Sequence, residues 1–140
     1  MLDALYQEEI IQLSRQSRQR GRLEAPDASA RVDNPLCGDR VTMDLGIKDG
    51  RITAVGHRVR GCALCEAAAE LIAENAIGMT AESLAEVELA TRAYLNSSAV
   101  EAPWTKLSVF APVREVKSRH ECVYLPFTAS IKAFSESIEK

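Results

Sequence analysis

The strongest constraint on the fold is an alternating stretch between Asp39 and Gly61. Val41, Met43 and Leu45 alternate with polar residues before an Asp49-Gly50 dipeptide, and Ile52, Val55 and Val59 continue the apolar pattern after it. Asp-Gly between two such runs is the sequence signal of a β-hairpin with a tight turn. A hairpin of this kind has one apolar face, so other elements of the chain must cover it.

The rest of the sequence predicts mainly helices. An N-terminal helix is predicted over 2–19, with Leu2, Leu5, Tyr6, Ile10 and Leu13 near helical spacing. Further helices are predicted over 61–78, over 80–96 with Thr80 as N-cap, and from about Pro126 onward. The segments 20–35 and 97–122 read as loops. We therefore predict a single α+β domain over residues 1–140, with a small antiparallel sheet of about three strands and helices on one side.

Composition restricts the function classes. The 140 residues carry a formal net charge of −3, which argues against nucleic acid as a partner. The sequence has no 18-residue apolar run and no signal peptide, so we expect no membrane segment and a cytoplasmic location. In a reducing compartment the four cysteines are expected to be metal ligands or reactive thiols rather than disulfides.

Three cysteines lie at the predicted ends of secondary-structure elements. Cys37 precedes the hairpin, Cys62 follows it where a helix begins, and Cys122 comes before the last helix. With Asp39 they make three sulfur ligands and one oxygen ligand, a set suited to zinc, and thiolates also hold iron–sulfur clusters. The alternative for each is a small buried apolar side chain, which is the favoured interpretation for Cys65. Among the four ligands, Asp39 is expected to leave the metal most easily.

Other polar residues allow two interpretations each. Arg119 is predicted either to hold a negatively charged sulfur species or to be a solvated surface residue. His120 is interpreted as an alternative metal ligand or a proton donor, because it would share a face with Cys122 if the segment were extended. His57 is interpreted as structural or solvent-facing. The arginines from Arg15 to Arg22 are interpreted as a solvated helix end or, less often, as a docking patch for an acidic partner.

The motifs "NPLCGDRVTMDL", "VRGCALCEAAAELIAE" and "SRHECVYLPF" occur in this order along the chain. In this order they resemble the SufU, IscU and NifU N-terminal family of iron–sulfur cluster assembly proteins. The resemblance implies that Cys37, Asp39, Cys62 and Cys122 meet at one exposed tip and bind zinc, iron or a transient iron–sulfur cluster. It also implies sulfur transfer as a persulfide from a cysteine desulfurase, and Suf-type assembly proteins or client apoproteins as further partners.

The chain is most similar to the SufU type within that family. It has a long segment between Cys62 and Cys122, and Arg119 is similar to a SufU-type arginine, whereas Glu121 replaces the usual lysine. Cys37 is the predicted sulfur acceptor because it lies on a Pro- and Gly-containing loop that can swing, whereas Cys62 and Cys122 are each fixed at a predicted helix start. The helix start also favours the thiolate of Cys62 as a metal ligand. The competing hypotheses are a structural zinc domain that only mediates binding and, more weakly, a zinc hydrolase.

Overall fold

The computed structural model describes residues 8–34, 38–97 and 101–139 of the chain. The elements follow in the order α1 (Glu8–Arg20), β1 (Ala28–Asn34), β2 (Asp39–Lys48), β3 (Arg51–Arg60), α2 (Ala63–Asn75), α3 (Ala81–Asn96), the 3₁₀ segments Thr105–Glu115 and Lys117–Arg119, and α4 (His120–Glu139). The strands form one antiparallel sheet in the order β1-β2-β3. Helix α4 packs against β1 and β2, while α1 and α2 pack against β3 and against each other. The predicted α+β architecture is confirmed.

The predicted hairpin is present with its turn. Asp49 and Gly50 have φ values of 54° and 75° and connect Lys48 directly to its partner Arg51. Two consecutive residues with positive φ match the right-handed twist of the flanking strands, and Asp-Gly tolerates that conformation. The apolar side chains of Val41, Met43 and Leu45 are fully buried under the helices, so one face of the sheet forms the core.

Strand β1 corrects the prediction of a loop over 20–35. Ala28, Ala30 and Val32 point toward the core, and the residues between them are exposed. The alternation is present in the sequence, but alanine, aspartate and asparagine have low strand propensity. Pairing with β2 and burial against α4 therefore determine this strand rather than local preference.

The last helix also begins earlier than predicted. It starts at His120, directly after a 3₁₀ turn, and Pro126 lies inside it. Proline has no N–H group, so the Cys122 carbonyl lacks the donor that a helix normally supplies four residues later. Because α4 begins at His120, Cys122 lies in its first turn rather than before the helix.

Arg18 and Arg20, two of the arginines in the group from Arg15 to Arg22, are ion-paired within the chain, which neither interpretation of the group included. Arg18 makes two hydrogen bonds to Glu66, of 2.8 and 3.0 Å, and Arg20 makes two of 2.8 Å to Glu70. Both carboxylates are buried on α2. The two pairs therefore tie α1 to α2. Ile10 and Leu13 are buried as predicted, while Leu2, Leu5 and Tyr6 lie outside the described residues.

His57 is a structural residue and is not solvent-facing. Its ring is 1% exposed and lies between Ser17, at 3.5 Å, and Glu70, at 3.3 Å. It projects from the inner face of β3 beside α1 and α2.

Helix α3 begins with the predicted N-cap Thr80, which forms a capping box with Ser83. No helix in the described part of the chain is both long and apolar enough to cross a membrane.

Candidate metal and sulfur site

Three element ends meet at one edge of the fold. Asp39 is the first residue of β2, Cys62 is the N-cap of α2 just after β3, and Cys122 is in the first turn of α4. The register pairs Arg40 of β2 with Arg60 of β3. Asp39 directly precedes Arg40 and Cys62 follows Arg60 by two residues, so both lie at the same end of the hairpin. Packing of α4 against β2 brings Cys122 to the same place.

The ligand atoms of these three residues lie close together. The two sulfurs and a carboxylate oxygen are all within 4.8 Å of one another. The Cys122 thiol donates a hydrogen bond of 3.4 Å to Oδ2 of Asp39. Asp39 and Cys122 are 5% and 0% exposed, whereas Cys62 is half-buried. The group is thus reached from solvent mainly on the Cys62 side.

Cys62 is poised to be a thiolate. A hydrogen bond from the Cys122 thiol, together with the backbone N–H groups of Cys65 and Leu64, lowers the pKa of Cys62 to about 6. Burial and the negative charge of Asp39 oppose this shift without cancelling it. The same hydrogen bond to Cys62, with burial and the nearby negative charges, raises the pKa of Cys122 far above its ordinary value. The thiols of Cys62 and Cys122 therefore share one proton, and Cys62 loses its proton at a lower pH than Cys122 does.

The donor set fits zinc or iron. Two thiols and a carboxylate are common ligands of both metals, and ligand atoms around a tetrahedral zinc lie about 3.5–4 Å apart. The observed grouping within 4.8 Å needs only small movements to reach that shell. A bound cation would also remove the proton from Cys122, because metal ligands bind as thiolates.

Cys37, the fourth predicted ligand and the predicted sulfur acceptor, lies outside the described residues. Its covalent neighbour Gly38 is described, and the Gly38 N–H donates to the Asn34 carbonyl at 2.8 Å. Gly38 has φ of 72° and directly precedes Asp39. The segment that carries Cys37 is therefore joined to the site at its C-terminal end. Its role as a ligand and acceptor stays a prediction.

His120 does not lie with the thiols. Its ring nitrogen bonds the Val113 carbonyl at 2.9 Å, and its ring edge faces Tyr124 at 6.1 Å between centroids. The shared face required an extended segment, but His120 and Cys122 are both in α4, where residues two apart point in different directions. The hypothesis that His120 acts at the site is wrong for this geometry.

The remaining predicted residues have simpler positions. Cys65 is fully buried in the core, as predicted. Arg119 is half-buried at the last position before α4, and its backbone N–H donates to the Val116 carbonyl at 2.9 Å. Glu121 is exposed in the first turn of α4. The role of Arg119 in holding a sulfur species stays a prediction.

Gly61 is a positioning residue that we did not predict from the sequence. A β-carbon at this position would lie 2.7 Å from Oδ1 and 2.9 Å from Cγ of Asp39. The absence of a side chain therefore allows the carboxylate to lie over the end of β3, beside Cys62. The sequence signal for this role is the glycine directly before Cys62.

We expect Gly61→Ala to weaken metal binding about tenfold or more, because the added methyl group displaces the Asp39 carboxylate while the backbone stays allowed. Titration with zinc against a competing chelator measures the affinity. The control is the same substitution in an Asp39→Ala background, in which Gly61→Ala should have little further effect. An equal loss in both backgrounds would show that Gly61 acts on something other than Asp39.

Comparison with known proteins adds a family match. The model of the NifU-like N terminal domain matches residues 5–103, a range that includes Cys37, Asp39 and Cys62 but ends before Cys122. The iron-sulfur cluster assembly scaffold protein IscU 1 of Archaeoglobus fulgidus is 30% identical over 83 residues, which are 59% of this chain and 54% of that protein. The chain thus spans about half the length of this relative. IscU of Thermotoga maritima is 23% identical over 137 residues, covering 97% of this chain and 94% of its own length.

Solved structures show the same fold. The N-terminal NifU-like protein of Brucella abortus, described as nitrogen-fixing, is 33% identical and superposes with a TM-score of 0.85, covering 100% of this chain and 99% of its own. A putative scaffold protein for the SUF system from Fervidobacterium islandicum AW-1 is 23% identical, with a TM-score of 0.82 over 93% of this chain and 96% of its own. The second likeness concerns the fold alone. The resemblance drawn from the three motifs is confirmed.

Proposed function

Since the chain belongs to the family of NifU-like N-terminal domains, we propose that it is a scaffold for iron–sulfur cluster assembly. The observation that carries this proposal is the convergence of Asp39, Cys62 and Cys122 within 4.8 Å at one partly open edge. The names of the IscU relatives support the same function. In this function the cluster is cargo, built at the site and passed on to client apoproteins.

The proposed site holds zinc or iron through Cys37, Asp39, Cys62 and Cys122. Thiolates are suitable ligands for both metals and for a cluster, so one site can serve each in turn. Asp39 is the ligand that can leave, since a carboxylate oxygen binds a soft metal less firmly than a thiolate does. Its departure would open a coordination position without unfolding the site.

Sulfur would reach the site from a cysteine desulfurase as a persulfide. A thiolate of this chain attacks the outer sulfur of the donor persulfide; the donor S–S bond breaks as the new one forms, and the donor leaves as a thiolate. The acceptor must therefore be ionised and accessible. Cys65 and Cys122 are both 0% exposed and are therefore not accessible. Cys62 is half-buried and has a lowered pKa, but it is fixed at the start of α2 and is better placed as an anchoring ligand. This supports Cys37, next to the leaving ligand Asp39, as the acceptor, with Arg119 as the predicted holder of the negative sulfur.

A brief reaction with a cysteine desulfurase and cysteine tests the proposal. We expect one extra sulfur atom on the Cys37 peptide by tryptic mass spectrometry, and no transfer in Cys37→Ser. Cys65→Ala serves as the control, since it removes a buried thiol and should transfer normally. Sulfur found on Cys62, Cys65 or Cys122 while Cys37 stays unmodified contradicts the assignment. Inert thiols under all conditions would instead support a structural zinc domain.

A further inference from the structure

The outer face of the sheet is strongly basic at the end where the cysteines lie. A cleft of about 230 Å³ on this face is lined by Thr42 and by arginines from all three strands and the preceding loop. We call these residues the arginine face: Arg22, Arg31, Arg40, Arg58 and Arg60. All five side chains are exposed, in a chain whose net charge is −3.

The strand register places these side chains in rows across the sheet. Arg40 of β2 is directly opposite Arg60 of β3, and Thr42 lies between Arg31 of β1 and Arg58 of β3. Like charges directly opposite each other destabilise an antiparallel sheet. The arrangement therefore has a cost for folding, which an anionic partner would offset.

Three members of the arginine face have no ion-pair partner among the residues that the structure describes. Arg22 is neutralised by Asp44 through bonds of 2.9 and 2.8 Å. The pair between Arg40 and Asp33 is nearly half exposed on both sides, and such pairs stabilise little. Arg31, Arg58 and Arg60 form no ion pair within 8–34, 38–97 and 101–139. Their guanidinium groups are therefore available to another molecule.

The described part of the chain leaves this half of the outer face open. The segment from Gly21 to Leu23 crosses the other half, where the His57 N–H donates to the Gly21 carbonyl at 3.0 Å. Gly56 permits that crossing, because a β-carbon there would lie 2.6 Å from the Leu23 nitrogen. The open half ends at Arg40 and Arg60, and these residues adjoin the metal and sulfur site.

We propose that the arginine face binds the acidic surface of a partner protein and holds that partner beside the site. Guanidinium groups match carboxylates with two parallel hydrogen bonds, and charge complementarity speeds encounter and fixes orientation. A long polyanion such as nucleic acid would extend over the rest of a chain that is net negative, which favours a protein of limited acidic area. What the partner exchanges at the site rests on the proposed function, whereas the binding surface does not.

The test uses the double variant Arg58→Glu with Arg60→Glu and a fluorescent oligoglutamate peptide as the probe. We expect the peptide to bind the parent protein in a salt-dependent, saturable way and the variant about tenfold or more weakly. Lys48→Glu with Lys132→Glu is the matched control, since it changes the net charge equally at exposed sites away from the arginine face. The control should bind within about twofold of the parent protein.

Folding and metal binding are separate readouts in the same experiment. Reversing Arg60 relieves its repulsion with Arg40, so the variant should keep its melting temperature and its zinc stoichiometry. Loss of peptide binding with zinc binding intact supports the arginine face even if the proposed function fails. Equal weakening in the control, absence of saturable binding, or stronger binding of a single-stranded oligonucleotide of the same charge overturns the proposal. Displacement of the peptide by inorganic phosphate at equal charge concentration also overturns it.

Discussion

Replacing Cys62 with serine is expected to abolish stoichiometric metal binding. Cys62 is the half-buried thiol whose pKa is lowered to about 6, so it is ionised near neutral pH before any metal arrives. A serine hydroxyl does not ionise near neutral pH and binds zinc poorly. Since the loss of groups that merely orient a ligand weakens metal binding about ten- to a hundredfold, loss of a ligand itself should weaken it by more than about a hundredfold.

Two measurements check this expectation. Elemental analysis of purified protein should show the metal content falling from about one ion per chain to a small fraction, and added zinc should no longer raise the melting temperature. Cys65→Ala is the matched control, because it removes a thiol three residues later on the same helix. It should keep the metal at a small cost in stability. Full metal content in Cys62→Ser would remove this residue from the site.

Replacing Glu70 with glutamine is expected to cause a large loss of stability although the shape of the side chain is preserved. The Glu70 carboxylate is 3% exposed, accepts two bonds of 2.8 Å from Arg20 and lies 3.3 Å from the His57 ring. Breaking a buried pair costs about 3–5 kcal/mol, and partial exposure of Arg20 reduces this to about 2–3 kcal/mol. Urea unfolding of parent and variant measures the difference.

The pH dependence of stability tests the same charge independently. Despite its burial, the hydrogen bonds and charges of Arg20 and His57 lower the pKa of Glu70 from 4.5 to about 2. The Glu70 charge therefore makes its full contribution to the free energy of unfolding above about pH 4.5, and this contribution is lost as the pH falls toward 2. The free energy of unfolding should fall less steeply over this window in Glu70→Gln than in the parent.

Glu74 supplies the control for both measurements. It lies one turn later on α2, and its pair with Lys106 is 3.1 Å long but largely exposed on the lysine side. Glu74→Gln should therefore cost no more than about 1 kcal/mol and leave the acid dependence unchanged. Equal effects of the two substitutions would show that the buried pair between Glu70 and Arg20 stabilises the protein no more than the exposed pair between Glu74 and Lys106.

Features set by neighbouring residues could be predicted from the sequence. The Asp49-Gly50 turn, the capping residue Thr80 and the apolar face of β2 all follow from local chemistry, and all are present. The positions of Asp39 and Cys62 at the ends of hairpin strands followed from the same pattern. Because antiparallel strands place those ends side by side, their proximity needed only the hairpin.

Features set by distant contacts could not be predicted in this way. Arg18 and Arg20 find their partners about fifty residues away on α2, and local periodicity carries no information about such pairs. Their exposed appearance in the sequence therefore suggested solvent or an external partner. Arginines with no ion-pair partner in the described ranges lie instead on the sheet, where the missed strand β1 aligns Arg31 with the hairpin.

The position of the His120 side chain depends on whether the segment that carries it is extended or helical. With an extended segment His120 would face the thiols, whereas in a helix it points toward Val113. Pro126 misled the prediction because proline most often marks the first turn of a helix, yet α4 begins at His120 and accommodates it. The position of Cys122 beside Asp39 is compatible with either start.

The central claim is that this site holds metal and assembles a cluster on its thiols. The most direct measurement is the metal and acid-labile sulfide content of protein isolated without oxygen, before and after reaction with a cysteine desulfurase, cysteine and ferrous iron. The reaction includes a thiol reductant, which supplies the two electrons that convert each persulfide sulfur to sulfide. We predict about one zinc or iron per chain before the reaction, and iron with acid-labile sulfide afterwards, both absent from Cys62→Ser. Zinc that persists with no sulfide under these conditions, in parent and variant alike, would contradict the account.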